Sequence, residues 1–230
     1  MYFELCTDSV EGAKMAGKYG FKRIELCSAL SEGGLTPSYG LIALCAMQSS
    51  AEVHAMIRPV GGNFCYTGEE LEVMVTDIRQ AKEAGARGVV FGILDRNGKV
   101  SEDNMLLLQE ARALGLETTF HRAFDQLSDA LEGMETLLRM RFDRLLTSGL
   151  QRTAYEGMDM IHKLQRNYGK EIQIMAGSGV NPSNAKEIAA TGIANLHFTS
   201  RKPGPEGASG MGQRFITDEK KMQAILELFT

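Results

Sequence analysis

The chain has 230 residues and a formal net charge of −4, with 43% hydrophobic and 23% charged residues. This composition excludes a disordered chain, because enough apolar side chains are present to bury a core. It also argues against nucleic acid and membranes as partners, since no basic cluster and no apolar run of roughly 20 residues is present. The N-terminus lacks the pattern of a signal peptide, so we expect a cytoplasmic protein with four reduced cysteines.

Short β-branched and apolar runs alternate with amphipathic segments along the whole chain, which predicts repeated βα units. We predict eight strands, at residues 2–7, 23–28, 53–58, 88–94, 117–122, 144–148, 172–176 and 195–199. Eight units in order favour a (β/α)8 TIM barrel, an α/β fold formed as a single domain by residues 1–230. A doubly wound open sheet is the alternative, but no change in composition marks a linker or a second domain.

The alternation of side chains along these strands predicts which residues face the barrel interior. Helices cover the outside of a parallel barrel, so the apolar positions of each strand should point outward. The predicted inward residues are Glu4, Cys6, Glu25, Cys27, His54, Met56, Arg58, His121, His197 and Thr199. So many ionisable groups are unusual in a barrel interior and indicate a site at the carboxyl-terminal mouth. The structural alternative is that Glu4 and Glu25 only form ion pairs with Arg58 or Arg122.

The tripeptide Glu-Leu-Cys occurs twice, ending at Cys6 and at Cys27. Both cysteines fall at the ends of neighbouring strands with the same parity, so their thiols should lie close together. Thiolates select soft ions such as copper(I), for which His54 and Met56 on the next strand are further candidate ligands. The alternative is that each cysteine is simply a small buried hydrophobic residue.

The loops after the last two strands predict a small anionic ligand, such as a phosphorylated metabolite. In many TIM barrels these loops bind phosphate through backbone N–H groups. The candidate binding residues are Gly177, Ser178, Gly179, Thr199 and Ser200, with Arg201 and Lys202 nearby as cations. A tight turn alone would also explain the glycines.

Four residues at the strand ends predict acid–base catalysis. His54 and His121 titrate near neutrality, and burial would raise the pKa of Glu25 toward the same range. Arg58 would bind an anion or polarise a carbonyl group, and residues 61–64 form a candidate lid with glycine hinges. The alternative is that each histidine bonds to a neighbouring group and never contacts a substrate.

Several segments of the chain together resemble the CutC family. They are Glu4-Leu-Cys, Arg23-Ile-Glu-Leu-Cys-Ser-Ala-Leu, Glu32-Gly-Gly-Leu-Thr-Pro-Ser, His54-Ala-Met-Ile-Arg-Pro, Gly88-Val-Val-Phe-Gly, Phe120-His-Arg-Ala-Phe-Asp and Leu146-Thr-Ser-Gly. The match runs in order from about residue 2 to residue 202. The sequence departs from the family pattern in the 58–64 loop, which lacks a second arginine and an aspartate, and at Gly149-Leu150.

This resemblance implies a cytoplasmic TIM barrel, a homodimer or higher homo-oligomer, and a role in copper homeostasis with Cu(I) bound by Cys6 and Cys27. The resemblance ranks copper binding first. The residues alone favour an enzyme that acts on a small anionic metabolite, because copper storage does not require two histidines, two glutamates and an arginine. A barrel that binds a ligand without catalysis is the third possibility.

Overall fold

The computed structural model describes residues 1–205 and 213–229, which form a closed barrel of eight strands. The strands are β1 (Tyr2–Thr7), β2 (Arg23–Leu26), β3 (Glu52–Met56), β4 (Gly88–Phe91), β5 (Glu117–Phe120), β6 (Arg144–Thr147), β7 (Gln173–Ala176) and β8 (Asn195–Thr199). Each strand pairs in parallel with the next, and β8 pairs with β1 to close the barrel. The predicted TIM barrel is confirmed.

Helices connect the strands and cover the outside of the barrel. They are α1 (Val10–Lys18), α2 (Tyr39–Gln48), α3 (Gly68–Glu83), α4 (Asn104–Ala113), α5 (Ala130–Met140), α6 (Met158–Tyr168), α7 (Ala185–Ala189) and α8 (Glu219–Leu226). Leu5 and Ile24, on the apolar parity of β1 and β2, belong to one hydrophobic cluster with Ala13 of α1 and Met74 of α3. The apolar side chains at alternating positions of these strands therefore face the helices, as the alternation predicts.

Most of the middle strands are shorter than predicted. β1 and β8 have the predicted bounds, whereas β2, β3 and β5 each end two residues early. The first residue after each of these three strands still donates to the neighbouring strand. After β3 the next residue leaves the ladder, because the N–H of Arg58 donates to Oγ1 of Thr36 over 2.9 Å. His121 caps a 3-10 turn, Arg122–Gln126, through the bond from the N–H of Ala123 to its Nδ1. Three of the predicted site residues, Cys27, Arg58 and His121, therefore lie in loops at the mouth.

Two glycines on and after β4 leave room for imidazole rings inside the barrel. A Cβ added to Gly88 would lie 2.3 Å from Nδ1 of His54, and one added to Gly92 would lie 2.7 Å from Nδ1 of His121. Carbon cannot approach nitrogen so closely without displacing it. The absence of a side chain at these two positions allows both histidines to be buried in the interior.

A short antiparallel hairpin that the sequence did not predict follows β8. It consists of β9 (Arg201–Pro203) and β10 (Phe215–Thr217). The guanidinium carbon of Arg201 lies 4.4 Å from the ring centroid of Phe215, and Nη1 is 3.8 Å from a carboxylate oxygen of Asp8. The Arg201 side chain therefore packs against the hairpin and does not line the barrel mouth.

Candidate functional site

A buried ion pair joins β1 to β2 inside the barrel. Nε of Arg23 donates to Oε2 of Glu4 over 2.9 Å, and Nη2 donates to Oδ1 of Asn195 over 3.2 Å. The side chains of Arg23 and Glu4 are only 4% and 1% exposed. The alternative pairing of Glu4 with Arg58 or Arg122 is wrong, because the register of the two strands places Arg23 directly opposite Glu4.

His197 of β8 connects this ion pair to the mouth of the barrel. Its Nδ1 lies 2.9 Å from Oε1 of Glu4, and its Nε2 lies 3.6 Å from Oε2 of Glu25. Burial opposes a charged imidazole, but Glu25, Cys6 and Glu4 together raise the pKa of His197 well above its usual range. Burial likewise opposes ionisation of Glu4, but His197 and Arg23 hold the pKa of its carboxyl group well below the usual range. The pair is therefore an imidazolium that donates to a carboxylate.

The two predicted metal ligands lie together beside Glu25. The Sγ atoms of Cys6 and Cys27 and one carboxylate oxygen of Glu25 are all within 4.8 Å of one another. The Cys27 thiol, with help from His197 and against the effect of burial, lowers the pKa of Cys6 to about 5. Cys6 and burial raise the pKa of Cys27 well above its usual range, and Sγ of Cys27 donates to Oε2 of Glu25 over 3.6 Å. At neutral pH the site therefore holds one thiolate beside one thiol.

A cavity of about 340 Å³ opens at the carboxyl-terminal mouth of the barrel next to Cys6. This volume lies within the range of small-molecule sites, roughly 300–1,000 Å³. The predicted site residues that line the cavity are Cys6, Glu25, Arg58, His121, Ser178, Gly179 and Thr199. The other predicted site residues, which do not line it, are Cys27, His54, Gly177 and Ser200.

His54 lies deeper in the barrel than predicted. Its side chain is completely buried, with Nε2 3.7 Å from a carboxylate oxygen of Glu117 and Nδ1 3.5 Å from Nη2 of Arg144. Burial and the charge of Arg144 lower the pKa of His54 to about 3. His54 does point into the barrel, as the alternation predicts. It precedes Met56 by two residues on the same side of β3, however, and so lies roughly 7 Å farther from the mouth along the strand. Met56 lines the cavity, and His54 belongs to the layer beneath it.

Gly177 and Ser200 have contacts away from the cavity. A Cβ on Gly177 would lie 3.0 Å from Cδ2 of His197, so this glycine leaves room for the imidazole ring. The hydroxyl of Ser200 donates to the backbone oxygen of Asp218 over 2.6 Å and is buried. These two residues therefore lie outside the cavity lining: Gly177 is needed for packing, and Ser200 joins the barrel to the start of α8.

His121 faces the cavity as a neutral imidazole. Its Nδ1 accepts the backbone N–H of Ala123 over 3.2 Å. Burial and the neighbouring charges of Arg58 and Arg122 lower its pKa to about 3. The proton must then lie on Nε2, which has no hydrogen-bond partner in the described part of the chain. His121 is thus arranged as a hydrogen-bond donor rather than as a base.

Arg58 is buried and bonds to backbone carbonyl groups. Nη1 donates to the backbone oxygens of Glu32 and Gly34 over 2.8 and 3.0 Å, and Nη2 donates to that of Gly62 over 3.4 Å. Its guanidinium carbon lies 5.0 Å from the ring centroid of Phe64. The side chain therefore fastens the loops after β2 and β3 together at the edge of the cavity. The loop after β3 contains the candidate lid, residues 61–64, so Arg58 holds the lid as well.

Sequence reasoning gave no role to several residues that build the site. His197 was predicted to point inward, but nothing in the sequence indicated its bond to Glu4. Arg23 and Arg144 share the inward parity of their strands, so the same alternation could have found them. Lys221 lines the cavity and donates to the backbone oxygen of Thr199 over 2.8 Å, but it comes from α8 and no local pattern marks it.

The protein is thus a TIM barrel, and its candidate site is a pair of thiols beside a buried glutamate–histidine pair at the barrel mouth. The chain belongs to the CutC family, whose family model matches residues 1–202. This finding confirms the resemblance seen in the sequence motifs. Among the residues that the structure describes, no helix has the length and apolar content needed to cross a bilayer.

Similarity to other members of the family extends along most of the chain. A CutC family protein of Photobacterium profundum is 42% identical over 204 residues, covering 88% of this chain and 82% of the relative. One from Bacteroides fragilis is 40% identical over 244 residues, covering 99% and 97%. The crystal structure of CutC from Streptococcus agalactiae, whose name refers to copper homeostasis, has a TM-score of 0.80 at 33% identity, covering 86% of this chain and 98% of that one.

Similarity of fold extends further than similarity of sequence. Thiamine phosphate pyrophosphorylase from Pyrococcus furiosus has a TM-score of 0.63 at 16% identity, covering 99% of this chain and 94% of that one. At this level of identity the comparison establishes the TIM barrel alone. Function must therefore be argued from the site.

Proposed function

We propose that this protein binds Cu(I) through Cys6 and Cys27 and takes part in copper handling in the cytoplasm. The observation that carries this proposal is the cluster of two thiol sulfurs and a glutamate oxygen within 4.8 Å of one another at the barrel mouth. Cys6 borders the cavity, so an ion can reach the cluster from solvent. The family's association with copper homeostasis, by name, agrees with this donor set.

The chemistry of the donors favours Cu(I) over harder ions. Thiolates are soft ligands, which select Cu(I) from the divalent ions that prefer oxygen. Cys6 is already a thiolate at neutral pH, because its pKa is about 5. Cys27 is protonated, donates to Glu25, and must release its proton when a metal binds.

Surrounding residues position the thiols for this role. Gly34 packs over Cys27, since a Cβ there would lie 3.1 Å from its Sγ. Met56 belongs to the same buried cluster as Cys27 and borders the cavity, which makes its thioether a candidate third ligand. His54, the other candidate, bonds in the layer beneath and is not proposed as a ligand.

The Cu(I) proposal is tested by anaerobic titration in competition with a chromophoric Cu(I) chelator. The wild type should remove about one equivalent of Cu(I) from the chelator. A Cys6→Ser, Cys27→Ser variant should lose at least a hundredfold in affinity, because both soft ligands become hard hydroxyl groups. Zn(II) is titrated in parallel, and we expect weaker binding of that ion.

The matched control removes the other two thiols of the chain. Cys45 is buried in α2 and Cys65 lies in the loop after β3. A Cys45→Ala, Cys65→Ser variant should bind Cu(I) with the affinity of the wild type. Equal affinity of the wild type and the Cys6→Ser, Cys27→Ser variant, with both folded by circular dichroism, would overturn the proposal.

The acid–base enzyme receives less support from the geometry. Its two predicted histidines are separated, since His54 is buried beneath the cavity and His121 borders it. The pKa of each is about 3, so neither changes protonation near neutrality.

The homo-oligomer implied by the family resemblance stays a prediction, to be checked by light scattering.

A further inference from the structure

We propose that the mouth cavity binds a small organic oxyanion, a carboxylate or a phosphate, in a subsite formed by Arg58 and His121. This subsite is distinct from the two thiols and does not require a metal. Three features support it: a buried charge without a counter-charge among the described residues, unpartnered donors on two residues that line one cavity, and the volume of that cavity.

The first observation is the buried charge of Arg58. The residue is only 5% exposed, yet no carboxylate of the described residues forms an ion pair with it. Its Nη atoms donate to three backbone carbonyl groups, which are dipoles and do not cancel a full charge. A buried charge without a counter-charge is costly, and an anionic ligand would supply that counter-charge.

The second observation is a pair of unpartnered donors on residues that line the same cavity. Nε of Arg58 and Nε2 of His121 have no hydrogen-bond partner within the described chain, and both residues line the cavity. Both side chains pack against the same ring, since that of Phe64 lies 5.0 Å from the guanidinium carbon and 4.8 Å from the imidazole centroid. Two N–H donors beside one positive charge match the oxygens of a carboxylate or phosphate group.

The turn after β7 supplies further donors at the cavity wall. Ser178 and Gly179 have φ angles of +81° and +71°. The backbone N–H groups of Ser178, Gly179 and Val180 have no partner among the residues described, and all three residues border the cavity. Successive free N–H groups of this kind form anion-binding concavities. They are available to other oxygens of the same ligand.

The volume of the cavity indicates an organic molecule rather than a bare ion. At about 340 Å³ it could contain roughly ten water molecules at about 30 Å³ each. The anionic group belongs with Arg58 and His121, which supply the positive charge and the unpartnered donors. The uncharged part of the ligand then extends toward Met56 and the thiols.

Calorimetric titration with three probes tests this proposal in protein stripped of metal. The probes are 2-phosphoglycolate, malonate and inorganic phosphate, each at constant ionic strength. We expect saturable binding of at least one organic probe, and the preference between phosphoglycolate and malonate identifies phosphate or carboxylate as the favoured group. His121→Phe, which keeps an aromatic ring but removes the donor, should weaken binding at least tenfold.

Further variants make the result specific. Arg58→Lys keeps the charge but removes Nε together with the Nη donors to the loop carbonyls, and should also weaken binding tenfold or more. Arg201→Gln removes a cation outside the cavity and should leave the affinity within twofold of the wild type. The Cys6→Ser, Cys27→Ser variant should still bind the probe, so this proposal and the copper proposal can fail separately. The inference is overturned if no probe binds saturably, or if His121→Phe and Arg58→Lys, shown to be folded, bind as tightly as the wild type.

Discussion

Replacing Glu4 with glutamine should lower the free energy of unfolding by about 3–5 kcal/mol, the range measured when one partner of a buried ion pair is removed. Glutamine has nearly the same volume and can still accept hydrogen bonds. It cannot balance the charge of Arg23, whose Nε lies 2.9 Å from the Glu4 carboxylate with both side chains almost fully buried. It also removes the negative charge that faces Nδ1 of His197. Urea unfolding at neutral pH measures the difference.

Two comparisons test whether the charge itself causes this loss. Glu102 forms a surface ion pair with Arg139, in which both side chains are mostly exposed, so Glu102→Gln should change stability little. A Glu4→Gln, Arg23→Met variant removes both buried charges of the pair and should cost less than the sum of the two single substitutions. Additive effects would show that the two side chains do not stabilise each other.

Acidification should destabilise the wild type through His54. The folded imidazole has a pKa of about 3 because it is buried beside Arg144, whereas in the unfolded chain the value is roughly 6.5. Below about pH 6.5 the unfolded chain therefore takes up a proton that the folded chain does not. Stability from this residue is complete above that pH, is lost as the pH falls, and decreases by about 2 kcal/mol between pH 7 and pH 5.

Comparison with a variant isolates the contribution of His54. Other groups also titrate in this window, so the quantity to compare is the change in the free energy of unfolding between the two pH values. For His54→Gln this loss should be about 2 kcal/mol smaller than for the wild type. His162, on the exposed side of α6, gives the control His162→Gln, which should keep the wild-type dependence. An identical pH dependence for His54→Gln would mean that His54 is not buried as a neutral group.

The sequence determines the order of the βα units and the side of each strand that faces inward. Both follow from local rules: apolar residues at alternating positions must meet the helices, and polar residues are left to the interior. The parity of Glu4, Cys6 and Glu25 was therefore predictable, as was the proximity of Cys6 to Cys27. The repeat of Glu-Leu-Cys carried this information within two short segments.

Depth within the barrel was not predictable in the same way. Parity places His54 and Met56 on the same side of β3, but it does not say which of them reaches the mouth. That depends on how the strands are staggered around the barrel, which is decided by pairing between segments far apart in sequence. The stagger places His54 beside Arg144 and Glu117, and it leaves Met56 at the cavity.

The sequence by itself thus determined the barrel, its inward residues and its neighbouring thiols. Only the tertiary structure decided that Glu4 pairs with Arg23 and His197, that Arg58 is bonded to loop carbonyls, and that Lys221 reaches the cavity from α8. The physical reason is that alternation is a property of a single strand. Partners, depth and charge balance are set by contacts between strands and loops that meet only when the barrel closes.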